Sequence, residues 1–360
     1  MLAPPPASAT ARNALVLIAV IVAGAALHWM GAIITPLLLA IFLAVMVDGF
    51  GRAILARAPR LHPRLAIFAA IAVSAVLVIL SALLVATNAE SFVATLGRDE
   101  PKLNALIAQV AARLGPHTPQ SVGQILSRLD PMQYAGAIAQ ALQNFGSTAV
   151  LVLIYLGFLI ASRHAFERKT IKLFASREAR HDALNVFLHV RNAIGRYLWI
   201  QTVTGAIIAA GSFAVMMLVG LEHAFFWAFL VFALNYIPIL GAVAAIALPA
   251  LFALLQFGQW TEALAILGGL FAIAFVVGNI VLPRMQGDSL NMDPLIVMLS
   301  LAFWGTIWGL PGMFLSTPLT VLTMVILAQF DGSRWIAILL SGDGDPQALG
   351  ADAAASPANR

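Results

Sequence analysis

The sequence predicts an all-α, polytopic integral membrane protein with about 8 transmembrane helices, up to 10 if two further hairpins also span, plus a small helical extracytoplasmic domain. Three observations carry this reading. Of 360 residues, 61% are hydrophobic and 10% charged, against about 25% charged in an average soluble domain, so too few charges remain to solvate the surface of a chain this long. The mean hydropathy is +0.94. The apolar residues also gather in runs near the ~20 residues that a helix needs to cross the hydrocarbon.

The elements follow in order. Residues 1–13, MLAPPPASATARN, have the composition of a disordered tail. The first span is Ala14–Met30 and the second Ala32–Val47. No cleavage segment separates them, so they read as a retained membrane hairpin rather than a signal peptide. Leu65–Thr87 is the third span and completes the first membrane helices, 14–87. Residues 88–145 then carry Glu90, Arg98, Asp99, Glu100, Lys102, Arg113, Arg128 and Asp130, punctuated by Pro101, Pro116, Pro119 and Pro131. Leu103, Leu106, Ile107, Val110 and Leu114 keep helical spacing between the prolines. This is the expected extracytoplasmic domain, with one face suited to the bilayer or a partner.

A membrane helix at 146–162 (span Ser147–Ala161) is followed by a basic helical segment, 163–196. The core membrane region, 197–330, begins with Tyr197–Val219. Phe225–Leu240 and Ala242–Phe257 follow, joined at Pro238 and Gly241, and then Thr261–Leu282. After the polar loop 283–293 come Pro294–Leu310 and Met313–Phe330. Their junction at 309–312 reads either as a spanning hairpin or as two half-helices of a re-entrant loop. The remainder, 331–360, reads as a polar, largely disordered cytoplasmic tail.

Lys and Arg set the orientation. With the N-terminus inside, Arg12, Arg52, Arg57, Arg60, Arg64, the eight basic residues of 163–196, Arg284, Arg334 and Arg360 all fall inside. Only Arg98, Lys102, Arg113 and Arg128 fall outside. Treating the hairpins 14–47 and 294–330 as re-entrant leaves the sides unchanged. Both termini are therefore expected in the cytoplasm and the chain in a bacterial inner membrane.

Several chemistries lack a carrier. There is no cysteine, which removes disulfides, cysteine metal sites and a thiol nucleophile. The histidines lie at span ends or outside the spans, and no HExxH, Walker A or GxSxG motif is present. Hence no enzyme activity, cofactor or metal is expected. The net charge of +4 comes without the aromatic and basic interleaving of an RNA-binding surface, so no nucleic acid is expected. The expected partners are the lipid bilayer and a small-molecule or ion substrate.

Polar groups and helix breakers at membrane depth mark the candidate site. Asn235 lies three residues before Pro238, which frees a backbone carbonyl, and Gly241 follows. This set either lines a solute path or forms a packed kink. Asn279 ends a span beside Pro283. In LPGMFLSTP, Pro311, Gly312, Ser316 and Thr317 have the make-up of half-helices meeting inside a transporter. Gln201 and Thr204 are polar residues at helical spacing, either ligands or interhelical glue. Asp48, Asp288 and Asp293 are the ion or proton candidates. For Asp48 the alternative is a helix-end ion pair with Arg52, and for the loop acids a solvated turn.

The chain resembles the autoinducer-2 exporter (AI-2E) family of PerM-like permeases. The likeness rests on ITPLLLAIFLAVMVDGF (34–50), GRYLWIQTVTGAI (195–207), ALNYIPILGAVAAIALPALFALLQFG (233–258) and NIVLPRMQGDSLNMDPLIVMLSLAFWGTIWGLPGMFLSTPLTVL (279–322). It implies a secondary transporter of about eight helices, working without an ATPase and as a homo-oligomer. In this family some members are linked to export of autoinducer-2 and others to sodium/proton antiport. The family often has proline where this chain has Asp48. The expected function is a permease for a small solute, with autoinducer-2-like cargo in view. A cation/proton antiporter and a non-transporting membrane scaffold are the alternatives.

Overall fold

A computed structural model of the chain describes residues 9–57, 146–162, 176–286, 292–330 and 332–345, together with Leu65, Ile71, Ala72, Val76 and Leu83. The expected domain 88–145, most of the expected third span, residues 163–175 and the end of the tail lie outside these residues. Among the described residues the regular structure is helical, with one isolated bridge between Met292 and Ser341.

The helices are α1 (Ala9–Trp29), α2 (Gly31–Arg57), α3 (Gly146–Ser162), α4 (Arg177–Val219), α5 (Ala224–Leu234), α6 (Leu240–Phe257) and α7 (Trp260–Val276). A π-helical turn, Val277–Val281, carries α7 into α8 (Leu282–Gln286), and α9 (Pro294–Ala328) and α10 (Arg334–Leu340) follow. Among the described residues, 5 helices are long and apolar enough to cross a membrane. Leu15, Leu17, Ile18, Val20 and Ile21 of α1 are all exposed. A helix that presents apolar residues outward in this way suits lipid or another apolar protein surface.

Three expected boundaries move. First, the part of the basic segment from Arg177 onward and the fifth span form one helix, α4, of 43 residues. Second, the expected span Phe225–Leu240 is not continuous: α5 stops at Leu234 after 11 residues, roughly 16 Å and about half of the hydrocarbon thickness. The backbone shows why. Tyr236 and Ile237 donate to Ala233 and Leu234, tightening the last turn. Pro238 has no N–H to give, and Leu240 donates to the carbonyl of Pro238 at 2.6 Å. This closes a γ-turn on Ile239 at φ 61°, ψ −65°, a rare and strained geometry for a β-branched residue. Gly241 then passes so close to Leu234 that a Cβ would overlap its carbonyl oxygen.

Third, α9 breaks only at Gly309, φ 64° and ψ −141°. The Trp304 indole N–H donates to Thr320 Oγ1 at 3.1 Å, although sixteen residues of straight helix would span roughly 24 Å. The two arms therefore fold back as a helical hairpin. Pro311 falls in the first turn of the second arm, where a missing N–H leaves nothing unpaired.

Two cores result. Met216, Trp227, Phe252, Ile266 and Leu270 pack α4, α5, α6 and α7 together, and the α4–α7 contact is close because Gly211 faces Ile273 and Gly269 faces Val215. Small residues of this kind let membrane helices approach. The other core joins Phe42 of α2, Tyr197 and Leu198 of α4, Tyr236 after α5, and Leu315 and Leu319 of the hairpin.

Candidate functional site

Both breaks meet α4. Tyr197, Gln201, Gly205, Ile208 and Ser212 recur at steps of four, four, three and four, which places them in one stripe along that helix. The α5–α6 break lies against this stripe through a reciprocal pair of hydrogen bonds. The Gln201 side-chain amide donates to the backbone carbonyl of Asn235 at 2.9 Å, and the Asn235 amide donates to the carbonyl of Gln201 at 3.2 Å. These bonds satisfy a carbonyl that the broken helix leaves open, each contributing about 1 kcal/mol net. Gly205 makes the approach possible: a Cβ there would stand 3.0 Å from the Asn235 side-chain nitrogen.

One turn back, Thr202 Oγ1 lies 2.7 Å from the Tyr236 hydroxyl, and Thr202 itself donates to Leu198. The Tyr236 ring stacks on Phe314 of the hairpin, with centroids 4.7 Å apart and planes at 26°, and meets Phe232 edge-on. The Tyr197 side chain faces those of Thr317 and Gln201. Tyr197 is 4% and Thr317 3% exposed, and neither hydroxyl has a hydrogen-bond partner of good geometry in the protein. The polar groups of this set are all uncharged and sit beside an aromatic platform. A set of this kind can hydrogen-bond and stack a small neutral molecule.

The far end of the hairpin is anchored. The Trp308 indole donates to the Leu27 carbonyl at 2.9 Å, and His28 Nδ1 reaches the Ile307 carbonyl at 2.7 Å. The turn between α1 and α2 thus holds the hairpin tip beside Gly309.

The residues singled out from sequence divide accordingly. Asn235, Pro238 and Gly241 form the first break, and Pro311, Gly312, Ser316 and Thr317 belong to the second. Gly312 is where the hairpin arms touch: a Cβ there would overlap the Trp304 carbonyl oxygen. Ser316 is fully buried and donates to Met313, so it serves its own helix. Asn279 lies apart from the cluster, exposed on the π-helical turn and bonded to the Phe275 carbonyl. Asp293 caps α9 by accepting from the Leu295 amide at 2.7 Å. Asp48 is half-buried on α2, about one turn beyond Val45, whose side chain meets Gly195 of α4. Asp288 lies outside the described residues. Sequence reasoning missed Tyr197, Thr202, Tyr236, Gly205 and Ser212. The 3.6-residue spacing of Tyr197, Gln201 and Ser212 is the signal that would have found part of this stripe.

An all-α bundle with five described helices long and apolar enough to cross a membrane belongs to the class of multi-pass membrane proteins. The particular family follows from comparison. Residues 15–332 match the AI-2E family transporter, and the chain belongs to that family. It is 30% identical over 318 residues to the AI-2 transport protein TqsA of Escherichia coli, covering 86% of this chain and 89% of that one. YhhT of the same organism is 30% identical over 345 residues, 91% of this chain and 93% of that one. A Haemophilus influenzae protein is 29% identical over 341 residues, 91% of this chain and 96% of that one.

Proposed function

We propose that this transporter is a secondary permease of the bacterial inner membrane, with both termini cytoplasmic, that moves a small uncharged solute by alternating access. The observation that carries the reading is the convergence of the α5–α6 break and the α9 hairpin on one stripe of α4, where Tyr197, Gln201, Asn235, Tyr236 and Thr317 are all neutral. Broken backbone persists at membrane depth where it lines a cavity or is buried by protein, and here it is held by the same side chains that would meet the solute. The name of the similar TqsA points to autoinducer-2-like cargo. The surplus of Lys and Arg in the loops assigned to the inside supports this orientation, with 88–145 on the extracytoplasmic side. The family resemblance supports a homo-oligomer. A cation/proton antiporter would need a titratable group on the path. Asp293 is engaged as a helix cap and the cluster of Tyr197, Gln201, Asn235, Tyr236 and Thr317 contains no carboxylate, histidine or lysine, which favours the uncharged solute.

The test is initial flux of autoinducer-2 into proteoliposomes, with and without imposed ion gradients. Asn235→Ala, Thr317→Val and Pro311→Ala are each expected to lower the rate by roughly tenfold, the equivalent of one buried hydrogen bond or one lost positioning contact. Wild-type rates in all three well-folded variants would refute the site, and flux lost in Asp48→Asn but not in Asn235→Ala would favour the antiporter.

A further inference from the structure

A cavity lies between α4, α5, α6 and α7, beside Asn235. It has a volume of about 30 Å³, is partly open beside the exposed Ala242, and is lined by Ile208, Ser212, Val231, Asn235 and Leu270, among others. Its walls are apolar except at Ser212 and Asn235. Ser212 is 0% exposed, and its Oγ has no hydrogen-bond partner in the protein.

Like Thr317 Oγ1, that hydroxyl departs from the pattern of other Ser and Thr residues described in the helices. Thr202, Thr204, Ser300, Thr306, Ser316, Thr320 and Thr323 all donate to a carbonyl three or four residues back on their own helix. Serine in a membrane helix does this by default, because hydrocarbon offers no other acceptor. Ser212 instead lines the cavity, and an unmet buried hydroxyl costs about 1–3 kcal/mol. Asn235 uses its amide nitrogen on Gln201, which leaves its Oδ1 as the remaining side-chain acceptor.

Size and donor count decide the occupant. A water needs roughly 10–15 Å³ of such space and two to four polar partners, so the cavity takes one or two. A bare cation would need about six oxygen ligands, whereas only two polar side chains line the cavity. A drug-sized molecule needs about ten times the volume. We propose that this cavity is a hydration site, holding a file of one or two ordered waters anchored at Ser212 and ending at Asn235. The waters meet the serine hydroxyl and give the broken helix a wet underside within the bilayer. This inference stands apart from the transport reading, since it requires no solute.

The test is X-ray hydroxyl-radical footprinting of the full-length protein in lipid nanodiscs, in which bound water labels the buried side chains around it. Val231 and Leu270, both on the cavity wall, are compared with Leu315, which is 0% exposed in the core that joins α2, α4 and the hairpin. The wild type is expected to label Val231 and Leu270 at least roughly fivefold over Leu315. Ser212→Ala, which removes the hydroxyl and adds no volume, should bring that ratio close to one, while Ser212→Thr should keep it. A wild-type ratio near one, or a ratio unchanged in Ser212→Ala, overturns the proposal.

Discussion

The protein breaks two helices at membrane depth and closes the two breaks by different means. At 309 the chain turns on a glycine, whose φ of 64° a residue without Cβ adopts freely. The tip is then tied to α1 through Trp308 and His28. At 235–240 the turn falls on Ile239, with a positive φ that opposes its branched side chain, and is tied to α4 through Gln201. Backbone in such a conformation costs on the order of 1–3 kcal/mol and persists only where its surroundings over-determine it. The hairpin tip is therefore a relaxed and clamped turn, while the α5–α6 break is a loaded one held by two side-chain bonds. Of the two, the loaded turn is the natural moving part.

The comparison can be broken most severely where the two breaks agree. Gly241 and Gly312 each pass a carbonyl oxygen that a Cβ would overlap. Gly241→Ala and Gly312→Ala are each expected to cost about 3 kcal/mol or more by backbone overpacking, read as loss of monodisperse protein and a lower melting temperature in detergent. A wild-type melt in either variant would mean that the corresponding break opens at little cost. Next in size is Gly309→Ala, which forces an L residue into the turn at a cost of about 2 kcal/mol, again visible as a lower Tm. Trp308→Phe keeps one aromatic ring but deletes the bond to Leu27 and trims the indole, so it should lower stability by at least about 1 kcal/mol. Smallest, and opposite in sign, is Ile239→Gly. Relief of the strained φ outweighs the added freedom of the unfolded chain, for a gain of up to about 1 kcal/mol. A lower Tm in Ile239→Gly would show that Ile239 is not strained and would erase the contrast between the two turns.

Much of this architecture was legible in the residues. Apolar runs announce helices, and Pro238, Gly241, Pro311 and Gly312 announce breaks, because proline and glycine act on the backbone that carries them. Asp293 reads in the sequence as an ion or proton candidate, and only the structure shows it capping α9. The position of the second break was read to within a few residues, since Gly309 and Gly312 both fit a turn and only the fold chooses between them. What meets what was not legible. Periodicity shows that Tyr197, Gln201 and Ser212 share a face, but it does not say which helix covers that face. The length of α5 was misjudged because an apolar run continues through Ile237 and Ile239 after the helix has ended. Ile239 carried no warning, for β-branched residues avoid the conformation it adopts.

One feature of α4 reaches beyond the bilayer. At 43 residues it is roughly 64 Å long, about twice the thickness of the hydrocarbon, and it runs unbroken from Arg177 past Gln201 and Ser212 to Val219. A continuous helix transmits rotation and tilt from end to end with little loss. A force applied near Arg177 therefore swings Tyr197 and Gln201 as a lever swings its load, and a shift of Asn235 pulls the outer arm in return. The basic segment outside the hydrocarbon is mechanically a handle on the two bonds that hold the loaded turn.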